Sequence, residues 1–136
     1  MAGDGLITIQ SRFGVTETID RLAEVVKRSG LLVFARIDHA AGAREVGAAL
    51  RPTELLIFGN PRGGTPLMQE SQLAGIDLPV KALGWEDVQG NAWLSYNDPH
   101  WIAERHGLGD ASRAAVAAIA AGMEKVIAAA AGMDPS

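Results

Sequence analysis

The sequence contains no cysteine. That absence removes disulfides, thiolate nucleophiles, iron–sulfur clusters and cysteine-held zinc together. It also suits a reducing compartment, and the cytoplasm is the expected location. Charge of one sign is nowhere concentrated. The 12 Lys and Arg are scattered from Arg12 to Lys125 against 16 Asp and Glu, for a net charge of −4. No basic run interleaves with aromatics, so nucleic acid is not an expected partner. Long apolar runs are missing as well. The stretch 114–123 ends after ten residues at Glu124 and Lys125, about half of the 20 or so that a membrane span needs. The opening MAGDGLITIQ lacks the positive start and apolar stretch of a signal peptide. Neither a membrane nor a metal is therefore an expected partner, and no cofactor is implied.

What is present is an ordinary globular balance, 48% apolar and 21% charged over 136 residues. A chain of this size suits one domain, with a core expected over about 5–131, that buries roughly two-thirds of its unfolded surface. Residues 6–11 alternate as a first strand. VTETIDRLAEVVKRSG follows as a helix, with Ile19, Leu22, Ala23 and Val26 on one stripe, Thr16 as N-cap and Gly30 as the stop. LLVFARIDHA reads as a second strand with Leu32, Phe34, Arg36 and Asp38 on one face and Val33, Ala35, Ile37 and His39 on the other. AGAREVGAAL reads as a short helix and TELLIFGN as a third strand.

Strands near 80–87 and 91–97, joined by VQG, form a hairpin. Asp98 and Pro99 open a short helix. A long alanine-rich helix over 111–131 presents Val116, Ile119, Ala120, Met123, Val126, Ile127 and Ala130 on one stripe. This order predicts an α+β fold: a mostly antiparallel sheet covered by the N-terminal helix and the long C-terminal helix. One helix layer leaves the opposite sheet face available to a partner. Strands two and three are apolar on both faces, which favours a homodimer.

The stretch ELLIFGNPRGGTPLMQ resembles a phosphate loop, since Gly59 and Gly64 have the Walker spacing. Thr65 and Pro66 then stand where Lys and Ser or Thr belong, and Pro66 deletes an amide that an anion would use. It reads instead as a turn at Pro61, unusual backbone angles at Gly63 and Gly64, and a helix capped by Thr65 and opened by Pro66, with a weaker anion site at Arg62 as the alternative.

Among the remaining polar residues, His39 is in phase with the inward set of its strand. Lys81 shares a face with Leu83 and Trp85, and an inward lysine must find a carboxylate or lose its proton. Glu86 is close in sequence but alternates to the other face. His100 and His106 lie roughly 240° apart on a helix, unlike a zinc-binding HExxH pair. Met68 packs in the short helix, and Trp85, Trp93 and Tyr96 could line a pocket or the core.

Together, LLVFARIDHAAGA, LRPTELLIFGNPRGGTPLM, LPVKALGWED and WLSYNDPHWIAERHG resemble the bacterial and archaeal family of unknown function numbered 302. The likeness runs over about residues 5–130. It implies a TT-type small α+β domain, β-α-β4-α in outline, related in shape to TATA-binding-protein-like folds and found as dimers. The family's blocks fall on His39, Gly59, Asn60, Pro61, Pro66, Met68, Lys81, Trp85, Glu86, Tyr96 and Asn97, and no catalytic role comes with them.

The functional expectation is a cytoplasmic dimer that binds a small polar or anionic molecule at the strand ends. His39, Asn60, Lys81 and Glu86 would make the polar contacts, with Met68, Trp85 and Tyr96 as walls. Two alternatives are an enzyme using His39 or Lys81 as acid or base and a non-catalytic scaffold or interaction subunit.

Overall fold

The computed structural model describes residues 4–133. Five strands build one sheet: β1 (Leu6–Gln10), β2 (Leu32–Asp38), β3 (Thr53–Gly59), β4 (Lys81–Glu86) and β5 (Ala92–Asn97). Their spatial order is β1-β5-β4-β3-β2, and every neighbouring pair is antiparallel. The helices are α1 (Val15–Arg28), α2 (His39–Glu45), α3 (Pro61–Glu70), α4 (Pro99–Arg105) and α5 (Arg113–Ala130). Without the shorter α2, α3 and α4 the order is β-α-β4-α, the α+β arrangement expected from the sequence.

The helix face of the sheet holds the core. Ile7, Tyr96, Ala82 and Leu56 stand side by side across four strands. Onto them pack Ile19, Leu22 and Val26 of α1 and Met123, Val126 and Ile127 of α5. At 1.5 Å per residue α5 runs about 27 Å, enough to cross the sheet. Gly84 is what lets α1 lie so close. A Cβ built there would stand 3.1 Å from two carbons of Ile19 and 3.3 Å from Val15.

Three local expectations need correction. Gly14, not Thr16, is the N-cap of α1; the Thr16 hydroxyl instead donates to Glu54 at 2.7 Å. Helix α3 starts at Pro61 rather than Pro66, because Asn60 accepts from the Arg62 amide at 2.9 Å and caps it. Asn60–Pro61 and Thr65–Pro66 are both cap-and-proline pairs. The earlier one operates, leaving Pro66 inside the helix and Gly63 and Gly64 in helical rather than unusual conformations.

Strand β2 departs most from simple alternation. Val33 pairs with Phe58 and Ala35 with Ile57, so Phe34 is an extra, unpaired residue in a β-bulge. Val33, Arg36 and Asp38 therefore share the helix face, while Leu32, Ala35 and Ile37 lie on the open one. His39 is not in the strand at all; it is the exposed first residue of α2.

Candidate functional site

The seven residues expected to converge do not do so. His39 and Glu86 lie at one end of the sheet and Asn60 at the other, about 20 Å away along β3 at 3.3 Å per residue. Lys81 and Trp85 project from the open face, where Lys81 pairs in register with Ile57. Lys81 makes no ion pair with any described carboxylate. Trp85 stacks on Trp93, with ring centroids 6.2 Å apart, and its indole donates to Ser95 at 2.9 Å. Tyr96 is buried on the helix face. Its phenol pKa is raised, first by burial and then by Glu124 and Asp98. Only Asn60 and Met68 share a concavity.

That concavity is a cavity of about 410 Å³ between α3, α5 and the sheet end where β3 finishes and β2 begins. It is the seam between two apolar clusters. One is the main core with Phe58, Met123 and Val126; the other is Leu67, Ala74 and Val116, with Met68 and Leu78 packed on it, and Ile119 touches both. The lining is Leu31, Phe34, Phe58, Val80 and Pro79 from the sheet side, Met68 and Leu78 from the α3 side, and Ile119, Met123 and Val126 from α5. Asn60 and Thr65 are the polar side chains on it, and both are exposed at the rim.

Glycine keeps this space open. Gly63 and Gly64 of α3 and Gly122 of α5 all line it. A Cβ on Gly63 would touch Ile119 at 3.6 Å, whereas one on Gly122 would meet nothing within 4 Å. Glycine in a helix interior costs about 1 kcal/mol against alanine, and Gly122 is an exposed residue on the open side of this wall. The glycine-rich stretch was legible as a special feature; that it faces a mid-helix glycine far away in sequence was not.

Three polar clusters also went unread. Glu54 is buried on β3, and Arg36 donates to it at 2.9 Å and to Asp20 of α1 at 2.6 Å. Burial alone would lower the Arg36 pKa, but the hydrogen bonds to Asp20 and Glu54 outweigh it and raise it. The signal was an arginine and a glutamate in the apolar runs LLVFARID and TELLIF.

In the second, Asp77 bonds His106 Nε2 at 2.6 Å and Arg105 at 3.0 Å, tying α4 to the segment before β4. In the third, Glu70 at the end of α3 accepts from the Ser112 hydroxyl at 2.6 Å and the Gly109 amide at 2.7 Å, which hold its pKa below the usual range. These clusters saturate one another and tie elements together. No group of three or more potential ligands for a metal ion occurs among the described residues.

An antiparallel sheet with helices on one face and, at one end, a cavity lined by no ionisable side chain make this an α+β fold. A family model described as a domain of unknown function, DUF302, matches residues 7–130. The chain belongs to that family.

It is 52% identical over 128 residues to a protein of Brucella suis biovar 1 (strain 1330) named fluoride-specific ion channel FluC 1, covering 94% of this chain and 50% of that protein. A protein of the same name from Brucella abortus biovar 1 (strain 9-941) is 52% identical over 128 residues, with 47% of its length covered. The chain thus spans about half the length of these curated relatives. No helix among the described residues is long and apolar enough to cross a membrane. The crystal structure of an uncharacterized conserved DUF302 protein from Bacillus stearothermophilus aligns with a TM-score of 0.74 and 26% identity, over 95% of this chain and 97% of that one.

Proposed function

We propose that the protein binds a small apolar molecule in the cavity between α3 and α5. What supports this is the charge-free lining: pockets of roughly 300–1,000 Å³ walled by apolar side chains, with a few polar groups to orient the guest, are the usual form of small-molecule sites. The polar or anionic ligand expected from the sequence gives way to an apolar one, because His39, Lys81 and Glu86 all lie outside this lining. Asn60 and Thr65 at the rim are placed to hold a polar substituent. The test uses N-phenyl-1-naphthylamine, a neutral fluorophore that brightens in apolar surroundings. Saturable brightening that is lost in Gly122→Leu supports the reading; no saturable binding, or equal binding by the variant, ends it.

The proposal includes a homodimer in the cytoplasm. Leu55, Ile57, Leu83 and Trp93 stand half-buried on the open sheet face, and Leu6 and Leu32 at its edges are 51% and 53% exposed. Burying such a face against a second copy would remove an apolar patch of the kind that marks interaction surfaces. Leu83→Lys should then shift the mass seen by light scattering to that of a monomer, and an unchanged mass would exclude this interface.

The relatives' printed names favour one second reading, a module that accompanies a fluoride channel. The part of those proteins outside the matched half would then carry the pore. Liposomes holding this chain alone should release no fluoride, and release would refute that division.

A further inference from the structure

Resting on the apolar-ligand reading, the geometry points to a planar, neutral ring compound as the occupant, with Phe34 as the residue that selects it. Strict alternation along β2 would set Phe34 beside Leu32 on the open face. The bulge, in which consecutive Phe58 and Ile57 pair with Val33 and Ala35, turns Phe34 into the cavity wall instead. Bulges recur where a strand re-aims one side chain beside a site. Phe34 is 49% exposed, so half of an aromatic ring that faces an apolar hollow is uncovered.

The remaining walls suit a flat guest. Across from the sheet side, Gly63, Gly64 and Gly122 present bare helix backbone, and the space over Gly122 is open to at least 4 Å. Met68 and Met123 supply thioethers, which make favourable contacts at ring edges. No lining side chain is ionisable, so a charge carried into the cavity would be desolvated without a partner. A dry apolar cavity of about 150 Å³ holds one benzene. A volume of about 410 Å³ therefore takes roughly two to three rings.

The experiment compares 1-naphthol with 1-decanol, which have the same carbon number, as displacers of N-phenyl-1-naphthylamine from the full chain. Decanol carries more apolar surface, so a merely greasy hollow prefers it. Preference for 1-naphthol in the wild type, reduced about three- to tenfold in Phe34→Leu and retained in Phe34→Tyr, is the expected result, from the usual worth of an aromatic pair beyond its area. Phe34 is half exposed on an edge strand, and an unchanged circular dichroism spectrum would confirm that the leucine variant folds. Tighter binding of decanol, or a preference that Phe34→Leu leaves unchanged, overturns the inference while leaving the apolar site intact. Failure of the fluorophore to bind at all removes the site itself, and this inference with it.

Discussion

Replacing Gly122, an exposed lining residue, by leucine tests the cavity from its open side. Two effects act on the same side of the balance. Removing a mid-helix glycine gains about 1 kcal/mol in helix propensity. The new side chain enters space in which a Cβ meets no atom within 4 Å, so the overpacking penalty of a filled core is avoided. At about 0.8 kcal/mol per buried methylene, burying half of the four added carbons contributes roughly 1.5 kcal/mol more. The sum, about 2–3 kcal/mol of stabilisation, corresponds to a rise in Tm on the order of 5–15 °C for a chain of this size.

The same side chain occupies the volume a guest would need, so the affinity for N-phenyl-1-naphthylamine should fall at least tenfold. Differential scanning calorimetry and fluorescence titration read the two quantities independently. Stability and binding are thus expected to move in opposite directions, which is the signature of a preformed hollow. A Tm lowered by several degrees would mean that the space beside Gly122 is filled, and the reasoning would be refuted.

Gly84→Ala should lower stability by about 1–3 kcal/mol in urea unfolding, because the added methyl stands 3.1 Å from two side-chain carbons of the fully buried Ile19, which has no free space to yield into; a neutral result would show that Ile19 can shift aside. Arg36→Met strands the buried Glu54 carboxylate and should cost about 3 kcal/mol, the low end for buried pairs because Arg36 is itself 33% open to water. Adding Glu54→Leu should recover most of that loss, and a strictly additive double variant would deny the pairing. The Tyr96 phenol, the one tyrosine in the chain, should ionise above the ordinary 10.0 when followed by tyrosinate absorbance. Its raised value makes the neutral form part of folding, so that contribution is complete below pH 10.0 and is lost as pH climbs through the folded-state value.

Asp87 works in the opposite sense. The Trp93 indole, then the Asn91 amide, hold its carboxyl below the usual range. Its contribution is full above that range and disappears as pH falls through the lowered value. Asp87→Asn should therefore flatten the acid limb of the stability profile, and an unchanged limb would disprove the role.

The amino-acid sequence by itself determined the elements and their order. Ile19, Leu22 and Val26 repeat at helical spacing, Asp98–Pro99 opens α4, VQG closes the hairpin, and Met123, Val126, Ile127 and Ala130 of the α5 stripe join the core on the sheet while Val116 packs in the second cluster. These signals are local, set by side chains within a turn or two of one another.

Where two local signals competed, or where register mattered, the tertiary structure decided. Asn60–Pro61 and Thr65–Pro66 are equivalent caps in the chain, and the start at Pro61 also sets Gly63 against Ile119 of α5. The bulge at Phe34 depends on what β3 offers opposite it, and it reverses the faces expected for Arg36, Asp38 and Ala35. The candidate site was the least legible. Asn60 and Met68 belong to the cavity, but its other walls come from β2, the end of β3, the segment before β4, and α5, whose Val126 is 66 residues from Asn60 in the chain. A hollow is a property of how surfaces fail to meet, and no periodicity in one segment records the shape of another.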